Sequence, residues 1–173
     1  MGAITLITGA ARSGKSAHAL KLAQEAPGVR RFFVATAEAL DDEMRERIAH
    51  HRANRSADFA TIEEPLNISA GIAELASRAD IVVVDCLTLW ISNLLMVNRS
   101  DEEILAAARG LAGAMAGAPF ASVVVTDEVG AGIVPENAMA RRFRDLLGWT
   151  NQVVAQAAER VVLMVAGYPL RVK

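Results

Sequence analysis

The chain has 173 residues, which fits one domain that buries its own hydrophobic core. Hydrophobic residues make up 53% of it, which excludes a disordered segment, and the net charge of −2 provides no general basic surface for nucleic acid. The single cysteine, Cys86, excludes an internal disulfide and is typical of a reducing cytosol. The longest apolar stretch, residues 87–97, is too short to span a bilayer, so we expect a cytoplasmic protein.

Short β-branched runs alternate along the chain with longer stretches of helical periodicity. The predicted strands cover residues 4–8, 31–35, 59–62 (the weakest), 81–85, 122–126 and 161–166. The predicted helices cover residues 15–25, 41–54, 69–78, 87–97, 102–116 and 137–159. Apolar runs of this length, rich in Val and Ile, are typical of strands covered on both faces. The alternation predicts an α/β fold, a mostly parallel sheet with helices on both faces, in a single domain spanning residues 1–173.

The first predicted strand leads into a glycine-rich octapeptide, GAARSGKS. It matches the P-loop pattern G-x-x-x-x-G-K-[ST] in full and lies between a strand and a helix, as a P-loop does. Backbone N–H groups of such a loop point at phosphate oxygens, and the following helix adds its positive amino end. Lys15 is expected to reach the β- and γ-phosphates, and the Ser16 hydroxyl to bind Mg²⁺. The predicted phosphate site consists of Gly9, Ala10, Ala11, Arg12, Ser13, Gly14, Lys15 and Ser16.

Two later strands end in acidic residues. Asp85 closes the run DIVVVD and is a candidate ligand for Mg²⁺, although strands also end in Asp as a turn residue. Asp127 and Glu128 follow the strand at 122–126, and the loop GAGIVPEN comes next, with Asn137 as a candidate helix cap. Ligands of open parallel sheets bind at the carboxyl ends of the strands, where these acids are expected to lie.

Two of the three histidines, His50 and His51, stand side by side in the predicted helix at 41–54. The first turn of this helix is acidic and its last part is basic, which complements the helix dipole. This charge pattern and the i, i+4 pairs favour a charged, exposed helix with two incidental histidines. Adjacent helical side chains point about 100° apart, which argues against both imidazoles holding one metal ion. A nucleophilic role needs only one imidazole that faces a phosphate, and it stays open at this point.

Segments spread over nearly the whole chain resemble one family, the bifunctional adenosylcobinamide kinase/adenosylcobinamide-phosphate guanylyltransferases of cobalamin biosynthesis. These segments are TGAARSGKS, ATAEALDDEMRERIAHHRANR, VVVDCLTLWISNLL, TDEVGAGIVPEN and the final GYPLRVK. The resemblance implies a RecA-like P-loop NTPase fold and a homotrimer. It also implies two reactions: phosphorylation of adenosylcobinamide with ATP or GTP, then transfer of GMP from GTP to that phosphate through a guanylylated histidine, with release of pyrophosphate.

The resemblance also assigns roles to residues. It implies that His50 is the covalent nucleophile, and Lys15 is expected to stabilise the charge that develops on the phosphates. Besides the P-loop, the positions that match nucleotide contacts of the family are Val34, Ala35, Thr36, His51, Arg52, Ala53, Asn54, Glu63 and Asp85. Mg²⁺ is the expected cofactor, held by Ser16 and Asp85, and GTP, ATP and a corrinoid are the expected small molecules. Asp85 and Glu128 are the candidate bases for the corrinoid hydroxyl.

The chain departs from the family pattern at two positions. Ala10 stands where a second glycine is usual, and alanine is tolerated there unless the position needs a positive φ. Asp127 stands where asparagine is common. Two other interpretations stay open: an ordinary P-loop small-molecule kinase without a covalent intermediate, and a nucleotide-binding switch or RecA-like assembly module. The switch lacks an N-K-x-D guanine signature, and the assembly module lacks a basic strand-binding surface.

Overall fold

A seven-stranded sheet forms the centre of the protein. The structure is a computed structural model that describes residues 2–39, 41–53 and 57–173, without the side chains of residues 44, 47, 50, 51 and 53. The strands are β1 (Ile4–Gly9), β2 (Arg31–Ala35), β3 (Phe59–Glu63), β4 (Ile81–Asp85), β5 (Ala121–Val125), β6 (Arg160–Val165) and β7 (Tyr168–Arg171). Their order in the sheet is β3-β2-β4-β5-β1-β6-β7. The pairs from β3 to β6 are parallel, and β7 runs antiparallel to β6.

Helices cover both faces of this sheet, as the alternating pattern predicts. They are α1 (Lys15–Glu25), α2 (Asp42–Ala53), α3 (Ile68–Glu74), α4 (Leu87–Met96), α5 (Asp101–Gly117) and α6 (Ala138–Ala157). Successive strand residues point to opposite faces and build two apolar layers. Val83 belongs to the layer that packs on α1, and Val82 and Val84 belong to the layer that packs on α3 to α6. The predicted α/β fold with a mostly parallel sheet is therefore confirmed.

Two elements differ from their predictions by more than two residues at an end. Helix α3 ends at Glu74 instead of residue 78, because the backbone beyond it forms tighter i to i+3 bonds, such as Arg78 N to Leu75 O at 2.9 Å. Strand β7 was not predicted at all. It pairs with β6 through a tight turn at Ala166 and Gly167, which both have positive φ, as a type I′ hairpin turn requires. None of the described helices is both long and apolar enough to cross a membrane.

The register of the sheet aligns the carboxyl ends of five strands in one row. Across the sheet, Glu63 of β3 lies beside Ala35 of β2, Ala35 beside Asp85 of β4, Asp85 beside Val125 of β5, and Val125 beside Ile7 of β1. We call this row and the loops that follow it the carboxyl edge. Because neighbouring strands lie about 4.8 Å apart, Asp85 stands roughly 10 Å from β1 along the row. The predicted site residues on β1 to β5 therefore all lie along one edge of the sheet.

Candidate active site

The P-loop leaves β1 at the carboxyl edge and ends where α1 begins. Gly9 has a φ of 152°, and a Cβ placed on it would lie 2.6 Å from the Met164 carbonyl oxygen and 2.8 Å from the Ser13 hydroxyl, so only glycine fits there. Gly14 adopts the left-handed conformation immediately before the first turn of α1. The loop thus turns its backbone toward the amino end of a helix, which is the arrangement that binds phosphate.

Ala10 does not strain this loop. Among the described non-glycine residues, positive φ occurs only at Arg12, Asn98 and Ala166, so Ala10 does not need the conformation that favours glycine. Its carbonyl oxygen accepts bonds from the Ser13 backbone N–H at 3.3 Å and from Lys15 Nζ at 2.6 Å. The departure from the family pattern at residue 10 is therefore compatible with the P-loop conformation.

Lys15, the lysine of the P-loop motif, forms an ion pair with Asp127. Its Nζ lies 2.6 Å from Asp127 Oδ1, and the two side chains are 9% and 28% exposed. The pair forms because β5 lies beside β1, which places the residues that follow β5 next to the P-loop. A backbone bond from Glu128 N to the Gly9 carbonyl oxygen, 3.1 Å long, joins the same two segments. The sequence pattern identified Lys15 and Asp127 separately but could not pair them.

A buried network of hydrogen bonds supports the carboxyl ends of β2 and β4. The Thr36 hydroxyl donates to the Cys86 carbonyl oxygen and accepts from the Cys86 backbone N–H, both at 2.8 Å. Asn93 of α4 donates to the carbonyl oxygens of Thr36 at 2.8 Å and of Pro65 at 3.1 Å. These bonds fix the loop after β2 against the residue that follows Asp85.

The three predicted nucleotide contacts at the end of β2 and immediately after it differ in exposure. Val34 and Thr36 have no exposed surface, whereas Ala35 is half-buried. Of these three residues, Ala35 is therefore the one with surface that a bound nucleotide could contact. Asp85, at the same level of the sheet, is half-buried and lies beside both Ala35 and Val125.

Helix α2 carries the two adjacent histidines. The described side chains at its amino end, Asp42, Glu43, Arg45 and Glu46, are exposed, as the charge pattern predicts. Arg52, near its carboxyl end, forms an ion pair with Glu63 at the end of β3, which connects α2 to the carboxyl edge. The side chains of His50, His51 and Ala53, and the whole of Asn54, lie outside the described residues, so their predicted roles stay predictions.

The loop that follows Asp127 is held by its own polar groups. The Glu128 carboxylate accepts a hydrogen bond from the Gly130 backbone N–H at 2.8 Å. Asn137 Oδ1 accepts bonds from Met139 N at 2.8 Å and Ala140 N at 3.1 Å, which confirms its prediction as the cap of α6. The loop is therefore anchored at both ends.

The residues that would hold Mg²⁺ are Ser16 and Asp85. Both supply oxygen ligands, and both lie near the carboxyl edge, in the first turn of α1 and at the end of β4. Among the described residues, no group of three or more His, Cys, Asp or Glu side chains is placed to form a protein-only metal cage. One or two protein oxygens together with substrate phosphates is the usual way in which Mg²⁺ is bound, so these residues fit that ion.

Cys86 is half-buried and packs against the apolar layer under α1. Burial, followed by the nearby charge of Asp85, raises the pKa of its thiol to about 12. A thiol with this pKa carries almost no thiolate at neutral pH and is a poor nucleophile. Cys86 is therefore a structural residue next to the site and not a reactive one.

We expect the Cys86 thiol to resist alkylation while the protein is folded. The raised pKa lowers the thiolate fraction at pH 8 by about a thousandfold, so iodoacetamide should react at least about a hundredfold more slowly than with the unfolded chain. Mass spectrometry after timed labelling, with and without guanidinium, measures both rates. Equal rates in the two conditions would contradict the assignment.

Comparison with known proteins identifies the family. Residues 5–172 match the sequence model of the family described as cobinamide kinase / cobinamide phosphate guanyltransferase. The chain belongs to this family. It is 43% identical over 169 residues to the bifunctional adenosylcobalamin biosynthesis protein CobP of Pseudomonas aeruginosa, covering 97% of this chain and 96% of that protein. It is 39% identical to CobU of Salmonella typhimurium over 97% of this chain and 98% of that protein.

A solved structure supports the fold assignment of this family member. A KaiC-like protein from the archaeon Pyrococcus horikoshii superposes on 94% of this chain and 70% of its own with a TM-score of 0.54. The two sequences are only 15% identical, so the likeness concerns the fold alone. It confirms the RecA-like P-loop architecture that the sequence resemblance implies.

Sequence reasoning did not identify several residues that support the site. Thr88 of α4 accepts a bond from the Asp127 backbone N–H at 2.8 Å, and Asn151 of α6 donates to the Asp127 carbonyl oxygen at 3.2 Å. Asn93 holds the loop after β2, as described above. A signal was present for Asn93, because a polar residue in the apolar stretch at 87–97 has to find a buried partner. Thr88 and Asn151 carry no comparable signal, since their partners depend on the order of the strands.

Proposed function

We propose that this protein phosphorylates adenosylcobinamide and then converts the phosphate to adenosylcobinamide-GDP with GTP. Its membership of the cobinamide kinase / cobinamide phosphate guanyltransferase family, over residues 5–172, is the observation that carries this proposal. The P-loop at the carboxyl edge supplies the phosphate site that both reactions require. The curated relatives, which are named bifunctional, support two reactions in one chain.

In the kinase step, the corrinoid hydroxyl attacks the γ-phosphorus of ATP or GTP, and the bond to the β-phosphate oxygen breaks. Lys15 and the P-loop amides position the phosphates and offset the negative charge that develops on them. The hydroxyl proton passes to a base, for which Asp85 and Glu128 are the candidates. Most of the rate enhancement in this reaction class comes from such positioning and charge stabilisation.

In the guanylyl transfer, a neutral nitrogen of His50 attacks the α-phosphorus of GTP. A P–N bond forms, and the bond between the α-phosphorus and the bridging oxygen breaks, which releases pyrophosphate. A phosphate oxygen of the corrinoid then attacks the same phosphorus, the P–N bond breaks, and His50 regains its neutral imidazole. We assign nucleotide contacts near the nucleophile to His51, Arg52, Ala53 and Asn54, and further contacts to Glu63 and Asp85.

Mg²⁺, held by Ser16 and Asp85, would offset the charge of the nucleotide phosphates when it is bound. The active assembly is a homotrimer, as the resemblance implies, and analytical ultracentrifugation measures this directly. The protein acts in the cytoplasm.

Product analysis tests the proposal. With adenosylcobinamide, Mg²⁺ and GTP, mass spectrometry should detect the corrinoid phosphate first and the corrinoid-GDP product later. With ATP as the only nucleotide, the reaction should stop at the phosphate, because ATP has no GMP to transfer. A reaction that stops at the phosphate even with GTP would favour the simple P-loop kinase. Absence of any phosphorylated corrinoid would contradict both enzyme hypotheses and favour a binding module.

A further inference from the structure

The charge of Lys15 in the P-loop is compensated by an acidic residue of the same chain. Lys15 Nζ lies 2.6 Å from the carboxylate of Asp127 and 2.6 Å from the carbonyl oxygen of Ala10. Both partners accept hydrogen bonds from the Lys15 ammonium group, so they compete with a phosphate for the same N–H donors. The Lys15 side chain is 9% exposed, so water screens this pair less than it screens a surface pair.

The backbone of Asp127 is fixed from two sides. Its N–H donates to Thr88 of α4 at 2.8 Å, and its carbonyl oxygen accepts from Asn151 of α6 at 3.2 Å. Asn151 is itself oriented by a 2.8 Å bond from the Thr126 hydroxyl. The residue after Asp127 bonds to the first residue of the P-loop, Gly9. With its backbone held to two helices and the P-loop, Asp127 can move its carboxylate away from Lys15 only by side-chain rotation.

A carboxylate beside Lys15 would repel a polyphosphate that binds to the same ammonium group. When Lys15 donates to a phosphate oxygen, that oxygen and the Asp127 carboxylate both stand near the same ammonium group, within roughly 4–6 Å of each other. Like charges at this separation oppose binding. A nucleotide that carries Mg²⁺ has a smaller net negative charge, so it is repelled less than the free nucleotide.

We propose that Asp127 competes with nucleotide phosphates for Lys15, which lowers the affinity of the site for free nucleotide and makes its occupation more dependent on magnesium. This inference rests on the proposed nucleotide-binding function of the P-loop. It assigns to Asp127 a role in tuning affinity, separate from the transfer chemistry.

The test compares GDP binding by the wild type, Asp127→Asn and Asp145→Asn, using isothermal titration with EDTA and with Mg²⁺. Asparagine keeps the shape of the side chain and removes its charge. Asp145 is exposed on α6 and provides a matched control for the loss of one negative charge. Asp127→Asn should bind metal-free GDP about tenfold more tightly and Mg²⁺-GDP no more than about threefold more tightly. Asp145→Asn should stay within about twofold of the wild type in both conditions.

Asp127→Ser serves as a second neutral variant with the same expected direction, and circular dichroism melting shows that each protein is folded. Weaker GDP binding by both Asp127 variants would show that the carboxylate positions Lys15 for phosphate and would overturn the proposal. Equal changes with and without Mg²⁺, or no change, would also overturn it. Absence of GDP binding by all the folded proteins would instead overturn the proposed function, and this inference with it.

Discussion

Replacing Lys15 by alanine should strongly weaken nucleotide binding and slow both transfer reactions. Lys15 is the P-loop lysine at the amino end of α1, where it is expected to donate to two phosphates. Each charge-assisted hydrogen bond contributes about 1.5–3 kcal/mol, so the affinity for GTP should fall by about 100-fold or more. Loss of charge stabilisation should lower kcat/KM by roughly a further factor of 100 to 1,000.

Lys21→Ala is the matched control for this variant. Lys21 lies on the same helix, is 70% exposed and faces Glu25 at a distance of 3.8 Å. Its removal changes the net charge equally but should leave GTP affinity within about twofold of the wild type. Isothermal titration measures the affinities, and corrinoid phosphorylation measures the rates. A Lys15→Ala protein that binds GTP like Lys21→Ala would contradict the assignment of residues 9–16 as the phosphate site.

Replacing His50 by alanine should stop the second reaction and leave the first. The P-loop supports phosphorylation without His50, whereas the guanylyl transfer requires a nucleophile, and its removal should slow that step at least about a thousandfold. Corrinoid phosphate should therefore accumulate, and no corrinoid-GDP should form. Mass spectrometry of the products over time measures both steps.

The adjacent histidine provides the comparison for this second prediction. His51→Ala should still form corrinoid-GDP, with a higher KM for GTP, because His51 is assigned a nucleotide contact and not the covalent bond. Corrinoid-GDP formed by His50→Ala at the wild-type rate would move the nucleophile to another residue. Loss of phosphorylation together with guanylyl transfer would mean that the variant disturbs the shared phosphate site.

The sequence predicted most of the fold because the strong signals were local. Runs of Val and Ile such as residues 81–85 are buried on both faces and read as strands without knowledge of their neighbours. Strand β7 was missed because it is only four residues long, contains Pro169 and lies exposed at the edge of the sheet. Its formation depends on pairing with β6, which no local pattern encodes.

The candidate site was predictable to the extent that its residues follow strands. The P-loop has a complete motif, and Asp85 and Glu63 end strands whose register aligns them at the carboxyl edge. The Lys15–Asp127 pair was not predictable, because it depends on β5 lying beside β1 although more than a hundred residues separate them. The role of His50 follows from the family resemblance and not from spacing, which favoured an exposed charged helix.

We propose that a single P-loop chain forms a covalent guanylyl-histidine from GTP. The most direct measurement incubates the purified protein with Mg²⁺ and GTP that is labelled at either the α- or the γ-phosphate, and then denatures it. We expect protein-bound label from the α-position only, labile in acid and stable in base, as is typical of a P–N bond. Absence of α-label under conditions in which the protein phosphorylates the corrinoid would contradict the covalent mechanism and leave a simple kinase.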